Sequence, residues 1–267
     1  MKIGVCLKQV PGTTKVEVDP QTGVLKRDGV DAKLNPFDLY ALETALRMKA
    51  TVPDTSVCAV TMGPPQSEEI IREAYMTGAD DGVILSDRRF AGSDVLATSW
   101  TLSQGLTLVG PFDLIICGKQ TTDGDTAQVG AELAEFLGIP HLCNVTAIEE
   151  LNEEFLTAVM DLPGHVQRVK VKLPCLITVE KGIFEPRLPS FRRKLATADR
   201  PIRRIGLDEL PDREARHYGL DGSPTQVARI FPPESNQVRE TWTGSGRELA
   251  DRAFAWLKEH KFLQQEG

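Results

Sequence analysis

Residues 113–139, Asp-Leu-Ile-Ile-Cys-Gly-Lys-Gln-Thr-Thr-Asp-Gly-Asp-Thr-Ala-Gln-Val-Gly-Ala-Glu-Leu-Ala-Glu-Phe-Leu-Gly-Ile, hold a strand, a loop and a helix in succession. The opening apolar run is the pattern of a short strand buried on both faces. A polar, glycine-punctuated loop follows from Gly118 to Asp125. Val129, Leu133, Phe136 and Leu137 then recur at helical spacing, which predicts a helix from near Thr126 with one face buried. Asp125 falls at the expected N-cap, and Gln128 three residues on completes a capping-box pattern. Such a strand–loop–helix presents free N–H groups at the positive end of a helix dipole, a place suited to a phosphate. Gly118, Gly124 and Gly130 would let a ligand come close to the backbone. The stretch matches neither the P-loop spacing nor the Gly-x-Gly-x-x-Gly pattern, and strand–helix turns of the same shape occur in parallel α/β proteins without any ligand. Its crowding of small polar side chains, Thr121, Thr122, Asp123, Asp125, Thr126 and Gln128, is what points to a nucleotide.

Upstream, the same alternation repeats. Residues 2–8 form a strand that ends in Lys8-Gln9-Val10-Pro11-Gly12, a loop at the strand's carboxyl end, where open parallel sheets bind ligands. Val16–Val18 and Val24–Leu25 flank a turn-rich stretch and suggest a hairpin excursion. Asn35-Pro36 pairs an N-cap residue with proline at the first helical position, and Leu39, Leu42, Ala45, Leu46 and Met48 carry the helix to about Ala50. Residues 56–62 are a second strand, stopped by Gly63-Pro64-Pro65. A helix over 66–77 ends at Gly78. Gly82–Ser86 is a third strand, and Ser93 or Asp94 caps a helix that runs to about Leu108. This order predicts an α/β fold with a doubly wound, mostly parallel, Rossmann-like sheet over residues 1–140.

Downstream of Pro140 the pattern changes. Val145–Ile148, Phe155–Met160, Gln167–Lys172 and Leu176–Val179 are strand-like with no helix between them, and are expected to add antiparallel or edge strands. Residues 181–195 form a loop bracketed by Pro186 and Pro189 around Leu188. From Arg187 to Arg204 there are seven Lys or Arg against the single acid Asp199. Such a run is either a solvated face or a docking patch. Residues 205–243 are poor in periodicity and rich in Gly and Pro, and a last helix spans about 245–263. The expected organisation is a nucleotide-binding domain over 1–204 and a C-terminal arm over 205–267 that lies on a partner.

Composition narrows the functional classes. The 267 residues carry a net charge of −7, with 41% hydrophobic and 26% charged content, as in a soluble globular protein. That acidity argues against nucleic acid, which needs a basic face. The N-terminus runs directly into a strand-like segment, no apolar stretch reaches membrane-spanning length, and the expectation is a cytoplasmic protein without membrane insertion. Five widely spaced cysteines fit a reducing compartment, and Cys6, Cys58, Cys117 and Cys175 lie in apolar runs as small buried hydrophobes. The four histidines are far apart, so no metal site is expected. No Gly-x-Ser-x-Gly elbow is present. Asp123 and Asp125 could form an acid–base pair, although capping and contacts to ribose or flavin hydroxyls explain them more simply. No catalytic side chain is expected.

Several stretches resemble the beta subunit of electron-transferring flavoproteins, in order and over nearly the whole chain. They are Val5-Cys6-Leu7-Lys8-Gln9-Val10-Pro11, Asn35-Pro36-Phe37-Asp38, residues 41–46, Met62-Gly63-Pro64-Pro65, Gly78-Ala79-Asp80 and, most specific, residues 118–130. The resemblance implies a doubly wound domain whose C-terminal arm embraces an alpha subunit. The family has two kinds of beta subunit, one holding structural AMP and one holding FAD that takes hydride from NADH in electron bifurcation. Gly124-Asp125-Thr126-Ala127-Gln128-Val129-Gly130, the stretch Ala91–Ser99 and Gly222-Ser223-Pro224-Thr225 resemble the second kind. Ser93 stands where Ala is common, and Thr121-Thr122 where the family usually has Ala-Ile.

Carried over by this resemblance, Cys6, Lys8, Val10, Asn35, Asp38, Met62, Gly63, Asp94 and Thr98 would line the pocket, with Gly118, Asp123, Gly124 and Asp125 in its loop. Thr126, Ala127, Gln128, Val129 and Gly130 would hold the pyrophosphate. Leu188, with Pro189, Arg192 and Arg193, would dock an acyl-CoA dehydrogenase-type flavoprotein. The implied activity sends one electron from NADH toward the alpha-subunit FAD and one to a low-potential acceptor such as ferredoxin or flavodoxin. The alternative is a carrier with AMP, shuttling electrons from acyl-CoA dehydrogenases to a quinone reductase. An ATP-using or stress-type nucleotide-binding domain is disfavoured, because no Ser-Gly-Gly loop follows the first strand and the long arm would lack a purpose.

Overall fold

A computed structural model describes residues 1–12, 32–228 and 239–263. The candidate excursion at 16–25 and the Phe231-Pro232-Pro233 stretch lie outside them. The chain divides into a unit spanning Met1–Ala228 and a second spanning Arg229–Gly267.

In the first unit, β1 (Lys2–Cys6) leads into a small antiparallel pair, β2 (Gln9–Pro11) with β3 (Ala32–Leu34). Then α1 (Pro36–Thr51), β4 (Ser56–Met62), α2 (Glu68–Thr77), β5 (Asp81–Leu85), α3 (Val95–Val109), β6 (Leu114–Gly118) and α4 (Val129–Leu137) alternate. They are followed by β7 (His141–Leu151), β8 (Phe155–Leu162), β9 (His165–Lys172), β10 (Cys175–Val179), α5 (Phe191–Ala196) and β11 (Arg203–Ile205). The main sheet has nine strands in the order β11-β5-β4-β1-β6-β10-β7-β8-β9. Every neighbouring pair from β11 to β7 is parallel, and β8 and β9 are antiparallel additions at one edge. The predicted α/β doubly wound sheet is therefore present.

The strand-like stretches after Pro140 divide differently from expectation. Phe155–Leu162 and His165–Lys172 are the antiparallel ones. Cys175–Val179 is instead a parallel strand inserted between β6 and β7. All five of its residues are buried, because both faces are covered.

Two apolar layers sandwich the sheet. On one side Ile3 and Val5 of β1 pack with Ala41, Leu42, Ala45 and Leu46 of α1 and Ile70 and Ile71 of α2. On the other, Cys6, Val60 and Leu85 pack with Leu102 and Leu106 of α3 and Leu133 of α4. Each such large aliphatic side chain contributes about 1.5–3 kcal/mol by leaving water. Residues 205–228, expected on composition to belong to the arm, carry Leu207, Leu210 and Tyr218 into this second layer. In the second unit, α6 (Gly246–Glu259) starts at a capping box, with Glu248 N–H on Ser245 Oγ (3.4 Å) and Ser245 N–H on Glu248 Oε2 (2.8 Å). Among the described residues no helix is long and apolar enough to cross a membrane.

The winding sets the position of the site. From β1 the chain steps through β4 to β5, then returns by α3 to lay β6 on the other side of β1. The loops after β1 and β6 thus part at their carboxyl ends, the crevice where open α/β sheets hold ligands.

Candidate functional site

Asn35 and Asp38, at the start of α1, gather the two loops of that crevice. Asn35 is fully buried at the N-cap position but makes no cap bond. Its Nδ2 donates to Gln120 O at 2.9 Å and its Oδ1 accepts from the Thr122 N–H at 3.3 Å, while its own N–H donates to Lys8 O at 2.9 Å. Pro36 supplies the helical φ without needing an acceptor, and the Asp38 N–H is met by the Asn35 backbone carbonyl at 3.0 Å, so the Asn side chain is left for this stitch. Asp38 Oδ2 accepts from the Lys8 N–H at 2.7 Å. Burial pushes the Asp38 carboxyl up to about 7, against the opposing pull of the Lys8 and Gly118 backbones, the Asn35 side chain and the Lys8 ammonium. At Gly118 a Cβ would stand 2.5 Å from Asp38 Oδ1 and 2.6 Å from Phe37 C, so only glycine lets β6 end against α1.

Across the mouth of the crevice, Lys8 Nζ lies 2.8 Å from both carboxylate oxygens of Asp123. Partial burial pushes that carboxyl up, but the ammonium's hydrogen bond and charge hold it below the usual carboxylate range. The Cys6 and Cys117 thiols face each other lower in the sheet, in register across β1 and β6. The hydrogen bond to Cys6, and then burial, keep Cys117 protonated.

The loop before α4 departs from the capping pattern expected at Asp125. α4 begins at Val129, its N-cap position is Gln128, and no side chain caps it. Asp125 (φ +53°) and Ala127 (φ +55°) sit in the left-handed region, which keeps the chain out of the helix, and Asp125 Oδ1 accepts from Gln120 Nε2 at 2.5 Å instead. Ala127 is followed by Gln128 in the right-handed region (φ −112°, ψ −28°). A left-then-right succession turns consecutive N–H groups toward one side and makes a concavity for an anion. It immediately precedes the uncapped first turn of α4, whose N–H groups lack intrahelical acceptors. Glu132 in that turn is raised above the usual carboxyl range by burial, offset by a Ser99 hydrogen bond and reinforced by Asp94. Gly130 backs the turn against β10, where a Cβ would fall 2.4 Å from Thr178 Cγ2.

The N-terminus of α3 is different because an acid already occupies it. Asp94 accepts from the Ala97 N–H at 3.1 Å and from Thr225 N–H and Oγ1 at 3.0 and 2.7 Å. Ser223 Oγ accepts from the Asp94 N–H at 2.8 Å and donates to Gly219 O at 2.6 Å. The N-terminus of α3 is thus capped by its own carboxylate, whereas that of α4 has no side-chain cap. Ser223 and Thr225 belong to the Gly-Ser-Pro-Thr stretch singled out in the sequence, and their place is over the α3 cap.

The residues expected to line the pocket lie along the carboxyl edge of β1, β4 and β6 or at the starts of α1, α3 and α4, except Val10, which lies in β2 of the small antiparallel pair. Lys8, Asp123 and residues 124–128 are accessible, and Met62, Gly63 and Thr98 are half-buried. Cys6, Val10, Asn35 and Asp38 are buried, so they support the loops rather than present side chains. Passed over in the sequence were Gln120, which braces Asp125, and Ser67, whose Oγ donates to Gln9 Oε1 at 3.0 Å. Gln120 falls inside the stretch 118–130 without having been assigned a role, and Ser67 falls in no recognisable pattern.

The loop expected to dock a partner lies elsewhere. Leu188 is 87% exposed, and Phe191 and Leu195 are exposed along α5 beside Arg192 and Arg193.

Comparison with known proteins gives one family. The electron transfer flavoprotein domain model matches residues 22–210. The chain is 40% identical over 266 residues to the caffeyl-CoA reductase-Etf complex subunit CarD of Acetobacterium woodii, covering 98% of this chain and 100% of that one. Protein FixA of Azotobacter vinelandii is 39% identical over 285 residues, with 98% and 96% covered. The electron transfer flavoprotein subunit beta of Megasphaera elsdenii is 39% identical over 208 residues, with 76% and 77% covered.

Proposed function

The chain belongs to the electron transfer flavoprotein family as an electron-transfer subunit of the beta type, and from that premise we propose that its switch-point crevice holds FAD and that it works in an electron-bifurcating complex. The observation that carries this reading is the left-handed Ala127 followed by right-handed Gln128 at the uncapped start of α4, with the loops after β1 and β6 joined through Asn35 and Asp38. It fits a pyrophosphate. Full-length similarity to a subunit of a caffeyl-CoA reductase-Etf complex supports work within a multi-subunit electron-transfer complex.

The chemistry that a bound FAD supplies is acceptance of hydride from NADH and onward release of single electrons, toward the alpha-subunit FAD and toward a low-potential acceptor such as ferredoxin. This chain's residues bind and orient. Thr126 to Gly130 hold the pyrophosphate, and Asn35 and Asp38 keep the loops in place. Lys8 and Asp123 neutralise one another at the mouth. The half-buried Thr98, Met62 and Gly63 line the interior. Leu188, Pro189, Arg192 and Arg193 dock an acyl-CoA dehydrogenase-type flavoprotein. The C-terminal arm packs on the alpha subunit, for which α6 offers Phe254 and Trp256, with Phe262 just beyond its end.

The test is the nucleotide released on denaturing the purified heterodimer with its alpha subunit. Two FAD per heterodimer and no AMP is the expected result. One FAD and one AMP would overturn the bifurcating reading and leave a carrier scaffold with structural AMP.

A further inference from the structure

The loop that carries Leu188 is pinned on both sides of that residue. Immediately before it, the Arg187 guanidinium lies on the Glu43 carboxylate, with Nε 2.7 Å from Oε2 and Nη2 3.0 Å from Oε1. The Arg187 backbone N–H also donates to Oε2, at 3.2 Å. Just after it, the Ser190 N–H donates to Met76 O on α2 at 3.0 Å. Pro186 and Pro189 restrict φ on either side.

Glu43 sits within α1 and is only 3% exposed. Its Oε1 also accepts from Arg47 Nε at 2.9 Å, and the Arg47 guanidinium lies 4.8 Å from the Phe184 ring centroid, at the start of the same loop. Burial pushes the carboxyl up, but the Arg187 hydrogen bonds and charge, with Arg47, hold it below the usual range. It is therefore ionised at neutral pH. An apolar residue here would avoid the desolvation cost of a buried ion pair. What the pair provides is fixed geometry in the backbone beside a leucine that itself adds nothing to the core.

We infer that Glu43 is a positioning residue for partner docking: through Arg187 it holds the loop so that Leu188 stands out in one orientation before a partner arrives. The inference rests on the docking reading of this loop proposed above. A preset loop loses less freedom on binding, so the effect belongs in affinity for the partner.

The test uses the purified, cofactor-loaded heterodimer and, as probe, a purified straight-chain acyl-CoA dehydrogenase, reading KM and kcat for electron transfer. Leu188→Ala is expected to raise KM about tenfold or more. Glu43→Gln is expected to raise KM roughly threefold to tenfold with kcat and nucleotide content unchanged, and to speed hydrogen exchange at the Ser190 amide. In the Leu188→Ala background, Glu43→Gln should add nothing. Arg187→Lys, which keeps the charge but loses the fork, carries the same test if the Gln variant fails to assemble, with a smaller rise expected. The inference is overturned if Glu43→Gln raises KM equally in both backgrounds, or leaves KM unchanged while Leu188→Ala raises it. If Leu188→Ala leaves KM unchanged, the docking reading itself falls, and the inference with it.

Discussion

The Oδ2 of Asp38 accepts the Lys8 N–H at 2.7 Å, so one carboxyl on the first turn of α1 carries the loop that leaves β1. Burial raises that carboxyl from 3.8 to about 7. Folding therefore takes up a proton at Asp38 between those values, and stability falls as pH rises through the window, levelling off above it. The slope is about 1.4 kcal/mol per pH unit where the difference is complete. Asp38→Asn removes it, so the stability of wild type relative to the variant should decline from pH about 4 to about 7. Urea titrations at successive pH values check this, and a difference that does not change with pH would mean that Asp38 folds ionised.

Asn35→Ala leaves Gln120 O and Thr122 N–H without their buried partner, at a cost of about 1–3 kcal/mol. It should also release nucleotide from the heterodimer. Asn35→Asp separates stitching from capping. An aspartate would serve an N-cap as well as asparagine does, yet it cannot donate to Gln120 O. The expected melting temperature of Asn35→Asp is below that of wild type, and an increase would show that capping dominates.

Gly130→Ala should destabilise the chain and weaken nucleotide retention, because the new Cβ would meet Thr178 Cγ2 at 2.4 Å. Thr178→Ser removes that methyl and keeps the hydroxyl that accepts from the Asn144 N–H at 3.1 Å. The double variant should regain most of the loss in thermal unfolding, whereas additive losses would place the obstruction elsewhere.

Ala127→Gly relieves a left-handed residue at φ +55° and should leave stability unchanged or raise it by up to about 1 kcal/mol. Ala127→Val should cost more than that, since a β-branched side chain tolerates this region worst. Nucleotide content after gel filtration would fall for Val alone. Equal losses for Gly and Val would mean that the loop does not hold this conformation.

Much of the architecture can be read from periodicity. Strands at residues 2–6, 56–62, 81–85 and 114–118 alternate with helices, and the Asp94 cap and the Gly78 stop are local signals. The place of Cys175–Val179 in the sheet was not legible, since strand order is set by long-range winding. Its largely apolar run, broken only by Thr178, was nevertheless a sign of burial on both faces. At Asp125 and Gln128 the residue types fit a cap, and the backbone conformation, which they do not reveal, decided otherwise. The Asn35 stitch was hidden by its own success as a cap pattern. Glu43 gave no local cue, because its partner lies 144 residues away.

That separation bears on chimeras. Residues 181–196 look like a cassette that could be exchanged between relatives to redirect partner choice, yet their anchor is encoded far upstream within α1. A graft that brings in a loop without Arg187 leaves the Glu43 carboxylate buried with only Arg47, and one that meets a different residue at position 43 leaves the loop untethered. Position 43 and the loop have to be transplanted as one inheritance.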